Sequence, residues 1–283
     1  MNVSITNQIK TNLGILLQTL VYSNIYLALG AAIIAVSTIF ISKYPLVWYL
    51  PIIPFSGSFL IYNLNRFTDI KEDIINVYNR VLFIQKFGRI FLCLAILFYT
   101  VSLFLAYQQN IYTFISALVP LPIAILYSVA RFKKRFILKN ILVSIAWGCS
   151  VLVVGAFFNT INLLLVYLYA FFSLQFLINV IIFDIKDLKG DKFNNVQSLP
   201  VKLGIEETKK VCLLILLLLF VIWILLLSLT IRAVILLPFL LYTATFILAA
   251  KDNRPWWYFG VIVDGEFFTI IFAILLWWVA WPI

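Results

Sequence analysis

The sequence predicts an all-α protein, a multi-pass transmembrane bundle of about nine helices. Two observations carry this prediction, the composition of the chain and its long apolar runs. Of the 283 residues, 64% are hydrophobic and 11% are charged, and the mean hydropathy is +1.09. A soluble domain is about half apolar and about a quarter charged, and its core cannot hide this much Leu, Ile, Val and Phe. The surrounding medium is therefore lipid.

The apolar runs give the number of helices. A bilayer core needs about 20 apolar residues per helix, and by that measure the chain has nine apolar segments. They cover approximately residues 15–41, 46–64, 90–107, 111–130, 136–158, 163–183, 211–229, 231–250 and 257–281. Because a membrane-spanning strand would alternate apolar and polar residues, these continuous runs favour helices over a closed barrel.

The loops between these segments alternate in character. One set is short and nearly uncharged, and its only basic residues are Lys43 and Arg232. The other set is longer and charged, and it covers residues 65–89, 131–135, 184–210 and 251–255. Basic loops face the cytoplasm, so we expect the N-terminus and the charged loops there, with the cavity of the bundle opening to that side. The net charge of +10 is then explained by the basic residues of the cytoplasmic loops. Because the sequence contains no basic domain on which a nucleic acid could lie, we expect no nucleic-acid partner.

A first acidic motif, NRFTDIKED, follows the second apolar segment at residues 65–73. Asn65, Asp69 and Asp73 are spaced four apart, which stacks their side chains on one face of a helix. The helix continues from the second apolar segment, so this face lies at the cytoplasmic mouth of the bundle.

A second acidic motif follows the sixth segment. Asp184, Asp187 and Asp191 are spaced three and four apart and can also share a face, although like charges at this spacing destabilise a helix. Ordinary ion pairs with nearby lysines are one explanation, and the lysines available are Lys71, Lys186, Lys189 and Lys192. The other explanation is Mg²⁺, which one or two carboxylates typically hold together with substrate phosphate oxygens. The chain has no histidine, and its three cysteines lie in apolar segments, which argues against a zinc site or a disulfide framework.

These residues carry a family resemblance. The first motif resembles the NDxxDxxxD signature of UbiA-type prenyltransferases, and residues 184–204, DIKDLKGDKFNNVQSLPVKLG, resemble the second motif of that family. Between them, residues 127–148 resemble the family's tyrosine-plus-basic loop and the helix after it, through Tyr127, Ser128, Arg131, Lys133, Lys134, Lys139, Asn140, Trp147 and Gly148. Two positions depart from the family pattern. Arg66 stands where the signature has Asp, and the loop from Asn76 to Val81 lacks both prolines of the family's Asn-x-Pro-x-Arg-Pro stretch.

The resemblance implies one integral-membrane UbiA-like prenyltransferase domain over residues 1–283, with Mg²⁺ as its cofactor. A prenyl diphosphate would ionise there, and its allylic cation would alkylate an acceptor that the sequence does not identify. The implied catalytic residues are Asp69, Asp73, Asp187 and Asp191, and the implied metal ligands are these four and Asp184. The implied prenyl diphosphate contacts are Asn65, Arg66, Lys71, Arg80, Tyr127, Arg131, Lys133, Lys134, Asp184 and Lys192. The expected partners are thus a prenyl diphosphate, the acceptor and the lipid bilayer.

Two other functions stay open at this point. A secondary transporter of similar helix number would place acids near the bilayer midplane, where this sequence has almost none. A relative that only binds isoprenoid lipid without catalysis is the other. Asp264 and Glu266 lie near the start of the last segment. They would contact substrate, pair with a basic residue, or offset the helix macrodipole, and the macrodipole is the simplest of these explanations. Asn179, inside the sixth segment, would face the cavity or hydrogen-bond a neighbouring helix.

Overall fold

The computed structural model describes residues 2–68, 70, 74, 77–129 and 136–281, without the side chains of residues 2–11 and 126–129. Within these ranges the secondary structure is helical and contains no strand, which confirms the all-α prediction. The α-helices in chain order are α1 (Asn2–Tyr22), α2 (Ile25–Ile41), α3 (Ile52–Thr68), α4 (Tyr78–Gln109), α5 (Ile111–Leu118), α6 (Pro120–Val129), α7 (Leu138–Phe157), α8 (Leu163–Lys186), α9 (Leu188–Phe193), α10 (Leu199–Leu203), α11 (Ile205–Leu229), α12 (Leu236–Ala249) and α13 (Phe268–Ala280). A 3₁₀ turn (Ile231–Ile235) precedes α12, and a π turn (Tyr258–Val263) and a 3₁₀ turn (Asp264–Phe267) lead into α13.

Each of the nine predicted segments contains helix, but not every one is a full span. Among the described residues, six helices are long and apolar enough to cross a membrane, or seven if the bent pair α1–α2 counts as one span. The second segment contains α3, which has 17 residues, and the fourth is divided into the short helices α5 and α6. The predicted nine transmembrane helices are therefore not confirmed.

The first apolar segment is broken, so the prediction of one continuous helix over residues 15–41 is wrong. α1 and α2 meet at an angle of 66°, and Asn24 between them adopts the left-handed region with φ 63°. Asn is one of the few residues that enters this region readily. The amide of Asn63 on α3 donates to the backbone carbonyl of Ser23 at 3.1 Å, so a carbonyl at the break keeps a partner, as apolar surroundings require.

The centre of the bundle is α8, most of which is buried, whereas α4 and α11 expose most of their apolar surface. α7 lies directly against α8, because Gly148 allows a close approach at which a Cβ would overlap Ser173 Oγ and Tyr169. Small residues serve this purpose in membrane helix pairs. The close packing fixes the rotation of α7 relative to α8 and therefore which side chains of the two helices face each other.

Candidate active site

A cavity of about 290 Å³ lies between α2, α3, α7, α8 and the π turn. Its wall combines apolar side chains with charged ones from both acidic motifs and from elements between and after them. The charged and amide residues that line it are Asn24, Asn65, Arg66, Arg80, Lys139, Asn140, Asn179, Asp184, Lys186, Asp187, Asp191 and Asp264. The predicted meeting of the two motif regions in one cavity is thus observed for the described part of each.

Asp184 is held by two neighbouring residues of α7. Lys139 Nζ lies 2.7 Å from Asp184 Oδ1, and Asn140 Nδ2 donates to Asp184 Oδ2 at 2.8 Å. Both partners come from the first turn of α7, which the close α7–α8 packing brings opposite the end of α8. The predicted role of Asp184 as a metal ligand stays a prediction, and in this structure its two oxygens are engaged by protein donors.

Asp187 and Asp191 are placed differently. Asp187 ends α8 and Asp191 lies on α9, and each has one buried oxygen that accepts no hydrogen bond from the described residues, Oδ1 and Oδ2 respectively. Lys186 Nζ lies 3.7 Å from Asp187 Oδ1, and Lys139 Nζ lies 3.6 Å from Asp191 Oδ2. Burial raises the pKa of Asp191 to about 6, and Lys139 opposes that rise. Buried carboxylate oxygens without donors are unfavourable on their own and suit a hard cation such as Mg²⁺.

The metal site cannot be complete in the described part of the chain. No group of three acidic or other metal-binding side chains converges there. Two carboxylates are still a sufficient protein contribution for Mg²⁺, because the ion usually takes its other ligands from substrate phosphates and water. Asp187 and Asp191 therefore fit a Mg²⁺ ion that binds together with a diphosphate better than a metal ion whose ligands all come from the protein.

The described part of the first motif also lines the cavity. Asn65 and Arg66 lie in the last turn of α3 and line the cavity, as does the buried Arg80 at the start of α4. The guanidinium of Arg66 donates twice to Asn24 Oδ1, from Nε at 3.2 Å and from Nη2 at 3.0 Å. The remaining predicted residues of this region lie outside the described residues, namely Asp69, Lys71, Asp73, Arg131, Lys133, Lys134 and the side chain of Tyr127.

The structure places two lysines differently from what the sequence suggested about their contact with the diphosphate. Lys192 is exposed on α9 and does not appear among the described cavity residues, so its predicted contact with the diphosphate finds no geometric support. Lys186, expected only as an ion-pair partner, lines the cavity and lies over the rings of Phe183 and Phe259 at 5.0 and 6.0 Å. Lys139 was recognisable only through the family resemblance, and nothing in its local sequence marks it as a partner of Asp184.

A buried polar group lies deeper in the bundle. Glu266 is fully buried and accepts from Gln175 Nε2 at 2.7 Å and Asn179 Nδ2 at 3.3 Å, while Asp264 lines the cavity with its Oδ1 lacking a described hydrogen-bond partner. Both acids lie inside a helical stretch and not at its first residue, and Glu266 contacts α8 through Gln175 and Asn179. Asn179 fulfils both expectations, since it faces the cavity and bonds a neighbouring element.

Aromatic side chains form part of the cavity wall, and the family resemblance had indicated Trp147 but not Phe176. The rings of Trp147 and Phe176 stack at 3.8 Å with an interplanar angle of 10°, and Phe267 lies 5.6 Å from Trp147. The indole N–H of Trp147 donates to Tyr62 Oη at 2.9 Å, which fixes the ring. An aromatic face of this kind attracts a cation in a water-poor site. Chemically, the cavity pairs a place for a metal-bound anion with an apolar wall suited to a carbocation.

Comparisons with known proteins agree with this chemistry. The model of the UbiA prenyltransferase family matches residues 24–269. The digeranylgeranylglyceryl phosphate synthase of Sulfurisphaera tokodaii is 35% identical over 168 residues, covering 56% of this chain and 58% of the relative. The enzyme of the same description from Saccharolobus solfataricus is 30% identical over 214 residues, covering 70% of this chain and 73% of the relative. The matched part of this chain thus spans less than two thirds of the first relative's length.

A solved structure supports the fold. The UbiA homologue from Archaeoglobus fulgidus bound to GPP and Mg²⁺ has a TM-score of 0.57 to this chain, covers 92% of it and is itself covered over 98%. The two sequences are 16% identical, so this likeness bears on the fold alone.

Proposed function

The chain belongs to the UbiA prenyltransferase family, and on that premise we propose that it transfers a prenyl group from a prenyl diphosphate to a lipophilic acceptor, with Mg²⁺ as its cofactor. The observation that carries the proposal is the pair of buried carboxylate oxygens on Asp187 and Asp191, which lack described donors and share one cavity with the stacked rings of Trp147 and Phe176. Family membership leaves the transporter alternative without support, and a non-catalytic relative becomes an outcome of the test below.

The proposed metal ligands are Asp187 and Asp191 together with Asp69 and Asp73 of the first motif. Mg²⁺ bound there would neutralise the negative charge that develops on the departing diphosphate. Asp184 acts indirectly, because its contacts with Lys139 and Asn140 hold an ammonium group 3.6 Å from Asp191. Lys139 is thereby positioned to stabilise the leaving group, as cationic side chains do in phosphate-transferring sites.

The allylic cation needs protection from water once the C–O bond to diphosphate has broken. Trp147 and Phe176 line the cavity, and the hydrogen bond from Trp147 to Tyr62 keeps the indole face in place. An aromatic face stabilises a nearby cation, and an apolar wall excludes water that would otherwise give the alcohol. The acceptor's oxygen or carbon then forms the new bond to C1 of the prenyl group and loses its proton.

The acceptor we propose is a prenylated glyceryl phosphate. The names of the two relatives describe a glyceryl phosphate that carries two geranylgeranyl groups. Removing the one group that a prenyltransferase adds leaves geranylgeranylglyceryl phosphate as the acceptor and geranylgeranyl diphosphate as the donor. Both are amphiphiles with an anionic head, and a cavity with a charged end inside an apolar bundle suits them.

The sidedness of the site is also a proposal. The charged loops that hold Asp69 and Asp187 should face the cytoplasm, because nearly all Lys and Arg lie on that side. A cysteine introduced by Asn76→Cys should resist an impermeant thiol reagent applied to intact cells and react after the cells are opened. Labelling from outside would reverse the assignment.

The test of the function uses purified protein in lipid nanodiscs with labelled geranylgeranyl diphosphate, Mg²⁺ and a panel of acceptors, with products identified by mass. Asp187→Asn keeps the shape of the side chain and removes its charge, so turnover should fall by ~10²-fold or more. Glu206→Gln is the matched control, because Glu206 is exposed on α11 and pairs with Lys209. Wild-type protein that forms no prenylated product and shows no Mg²⁺-dependent binding of prenyl diphosphate would refute the proposal, and binding without product would support the non-catalytic relative.

A further inference from the structure

Two acids in the segment before α13 have different surroundings. Glu266 is fully buried and accepts hydrogen bonds from Gln175 and Asn179 on α8. Asp264 is 6% exposed and lines the cavity, and its buried Oδ1 accepts no hydrogen bond from the described residues. A buried carboxylate oxygen without a donor is unfavourable, so a ligand that donates a hydrogen bond to Asp264 would recover free energy.

Asp264 is separate from the proposed metal ligands. No group of three acidic or other metal-binding side chains converges in the described part of the chain, so Asp264 does not join Asp187 and Asp191 in one such group. A carboxylate that binds a metal ion must stay deprotonated to do so, which makes the metal ligands poor acceptors for a proton while Mg²⁺ is bound. Asp264 does not have this restriction.

An unpaired donor also lines the cavity. Asn24 is 1% exposed, and its Nδ2 has no hydrogen-bond acceptor among the described residues. The orientation of this amide is fixed, because two N–H groups of Arg66 donate to Asn24 Oδ1 at 3.0 and 3.2 Å. The amide oxygen faces the guanidinium, and the amide nitrogen therefore points the other way.

The start of α2 packs against the turn that carries Asp264. A Cβ on Gly265 would lie 2.6 Å from Tyr26 Oη, and Tyr26 follows Asn24 by two residues. Arg66, which is bonded to Asn24, also lies within electrostatic range of Asp264. The unpaired donor and the unpaired acceptor thus belong to the same part of the cavity.

We propose that Asn24 and Asp264 hold the hydroxyl group of the acceptor, and that Asp264 is the general base that takes its proton. A hydroxyl group has one proton to donate and two lone pairs that accept, so it can donate to Asp264 Oδ1 and accept from Asn24 Nδ2 at once. The inference rests on the proposed function and narrows it, because the nucleophile is then the oxygen of an alcohol and not a carbon atom.

The transfer step is balanced with this base. The bond between C1 of the prenyl group and the diphosphate breaks, and its electron pair leaves with the diphosphate. A lone pair of the acceptor oxygen forms the new bond to C1, the electron pair of the O–H bond stays on that oxygen, and the proton goes to Asp264 Oδ1. The proton passes from Asp264 to water after the product has left the cavity.

The replacement of Asp264 by Asn tests the base. Asn keeps an oxygen that accepts from the hydroxyl group but cannot take the proton. In Asp264→Asn, product formation in a single turnover should fall by ~10²- to 10⁴-fold, the usual contribution of a general base. KM for either substrate should stay within about threefold, because binding contacts are kept. Asp252→Asn, which removes the same charge from the turn after α12, is the matched control and should change neither value.

An acceptor analogue with a thiol in place of the hydroxyl group separates a base from a structural residue. A thiol has a pKa of about 8.5, so at that pH about half of it is ionised without any base. Wild type and Asp264→Asn should then form the thioether at rates within about threefold of each other. An equal loss with the hydroxyl and thiol acceptors would overturn the base role, and so would an unchanged rate with the hydroxyl acceptor.

A binding measurement covers the case in which Asp264→Asn does not fold or the wild type has no turnover. Wild-type protein should bind geranylgeranylglyceryl phosphate at least about tenfold more tightly than its deoxy analogue, because the analogue leaves Asp264 and Asn24 unpaired. Equal affinities, or no binding of either compound, would overturn the hydroxyl site. Failure of the proposed function is a different result, namely no prenylated product from wild-type protein with any acceptor.

Discussion

Replacement of Lys139 by Met tests the central electrostatic feature of the site. Lys139 Nζ lies 2.7 Å from Asp184 Oδ1 and 3.6 Å from Asp191 Oδ2, and its side chain is 12% exposed. Removing one partner of a buried pair costs about 3–5 kcal/mol, because the other charge stays buried without compensation. The lower end of that range, about 3 kcal/mol, applies here, since Asn140 continues to donate to Asp184 and neither side chain is fully buried.

The loss in Lys139→Met should be restored by Mg²⁺. A divalent cation replaces the missing charge beside the carboxylates, and at a Mg²⁺ concentration of 100 times Kd the ligand stabilises the folded state by about 2.7 kcal/mol. In detergent without Mg²⁺, the apparent Tm of the variant should be lower than that of the wild type by roughly 5 °C or more. Addition of Mg²⁺ should raise the Tm of both proteins, and it should raise that of the variant more, because the carboxylates of the variant lack the charge of Lys139. The difference between the two Tm values should therefore narrow.

The same variant has a predictable pH dependence. Burial raises the pKa of Asp191 to about 6 while Lys139 opposes the rise. A carboxyl whose folded pKa is raised binds more protons in the folded state, so the stability it contributes is present below its unfolded pKa and is lost as pH rises through the folded one. Without Lys139 the folded pKa moves further up. The Tm difference between variant and wild type should therefore be small at pH 5 and larger at pH 8.

Lys189→Met is the control for this experiment, because Lys189 lies on the neighbouring helix α9 with its side chain exposed. It should leave Tm within about 1 °C at both pH values, with or without Mg²⁺. A variant at Lys139 that melts like the wild type would show that the pair contributes nothing. A loss of stability that Mg²⁺ does not recover would refute the view that Lys139 and the metal compensate the same carboxylates.

Three further predictions concern other parts of the molecule. Mg²⁺ affinity measured by titration calorimetry should fall by about tenfold per pH unit below pH 6, because Asp191 must lose its proton to bind the ion; an affinity that is flat from pH 5 to 7 contradicts this. Gly148→Ala should destabilise the protein by about 1–3 kcal/mol through overpacking, whereas Gly14→Ala, with nothing within 4 Å, should be neutral or slightly stabilising in the same unfolding assay. Glu266→Leu should lower Tm markedly, since it leaves one N–H of the buried Gln175 amide unpaired while the other still donates to Thr243. Glu266→Gln should keep most of the stability; equal losses in the two variants would show that hydrogen bonding is not the cause.

Much of the fold was predictable because the relevant signals are local. Apolar runs of bilayer length define helices wherever they occur, and the structure places helix in every predicted segment. Breaks within a run are not visible in the same way. The apolar run from residue 15 to 41 continues on both sides of the polar pair Ser23 and Asn24, so the pair alone does not indicate a break. The bend there is supported by contacts from α3, where Asn63 donates to Ser23 and Arg66 donates to Asn24.

The positions of the acidic residues of the site were also partly predictable from the sequence. Spacings of three and four predicted that Asp184, Asp187 and Asp191 lie near one another, and all three line the cavity. They do not lie on one continuous helix, because α8 ends before Asp187 and Asp191 belongs to α9. The different surroundings of these aspartates could not be predicted from the sequence. Asp184 meets Lys139 and Asn140, which lie 45 and 44 residues away in the chain, and no local pattern reports which helix will lie opposite.

The sequence by itself determined that the surrounding medium is lipid, that the fold is all-α and which family the chain belongs to. Composition and the spacing of short motifs show this because they do not depend on which residues meet in space. Only the tertiary structure decided which apolar residues face the cavity and which face lipid, since Trp147, Phe176 and their lipid-facing neighbours are equally apolar. It also decided that Glu266 is a buried partner of Gln175 and that Arg66 turns toward Asn24. The physical reason is that these contacts depend on the rotation and offset of packed helices, which close contacts such as that at Gly148 set between segments distant in the chain.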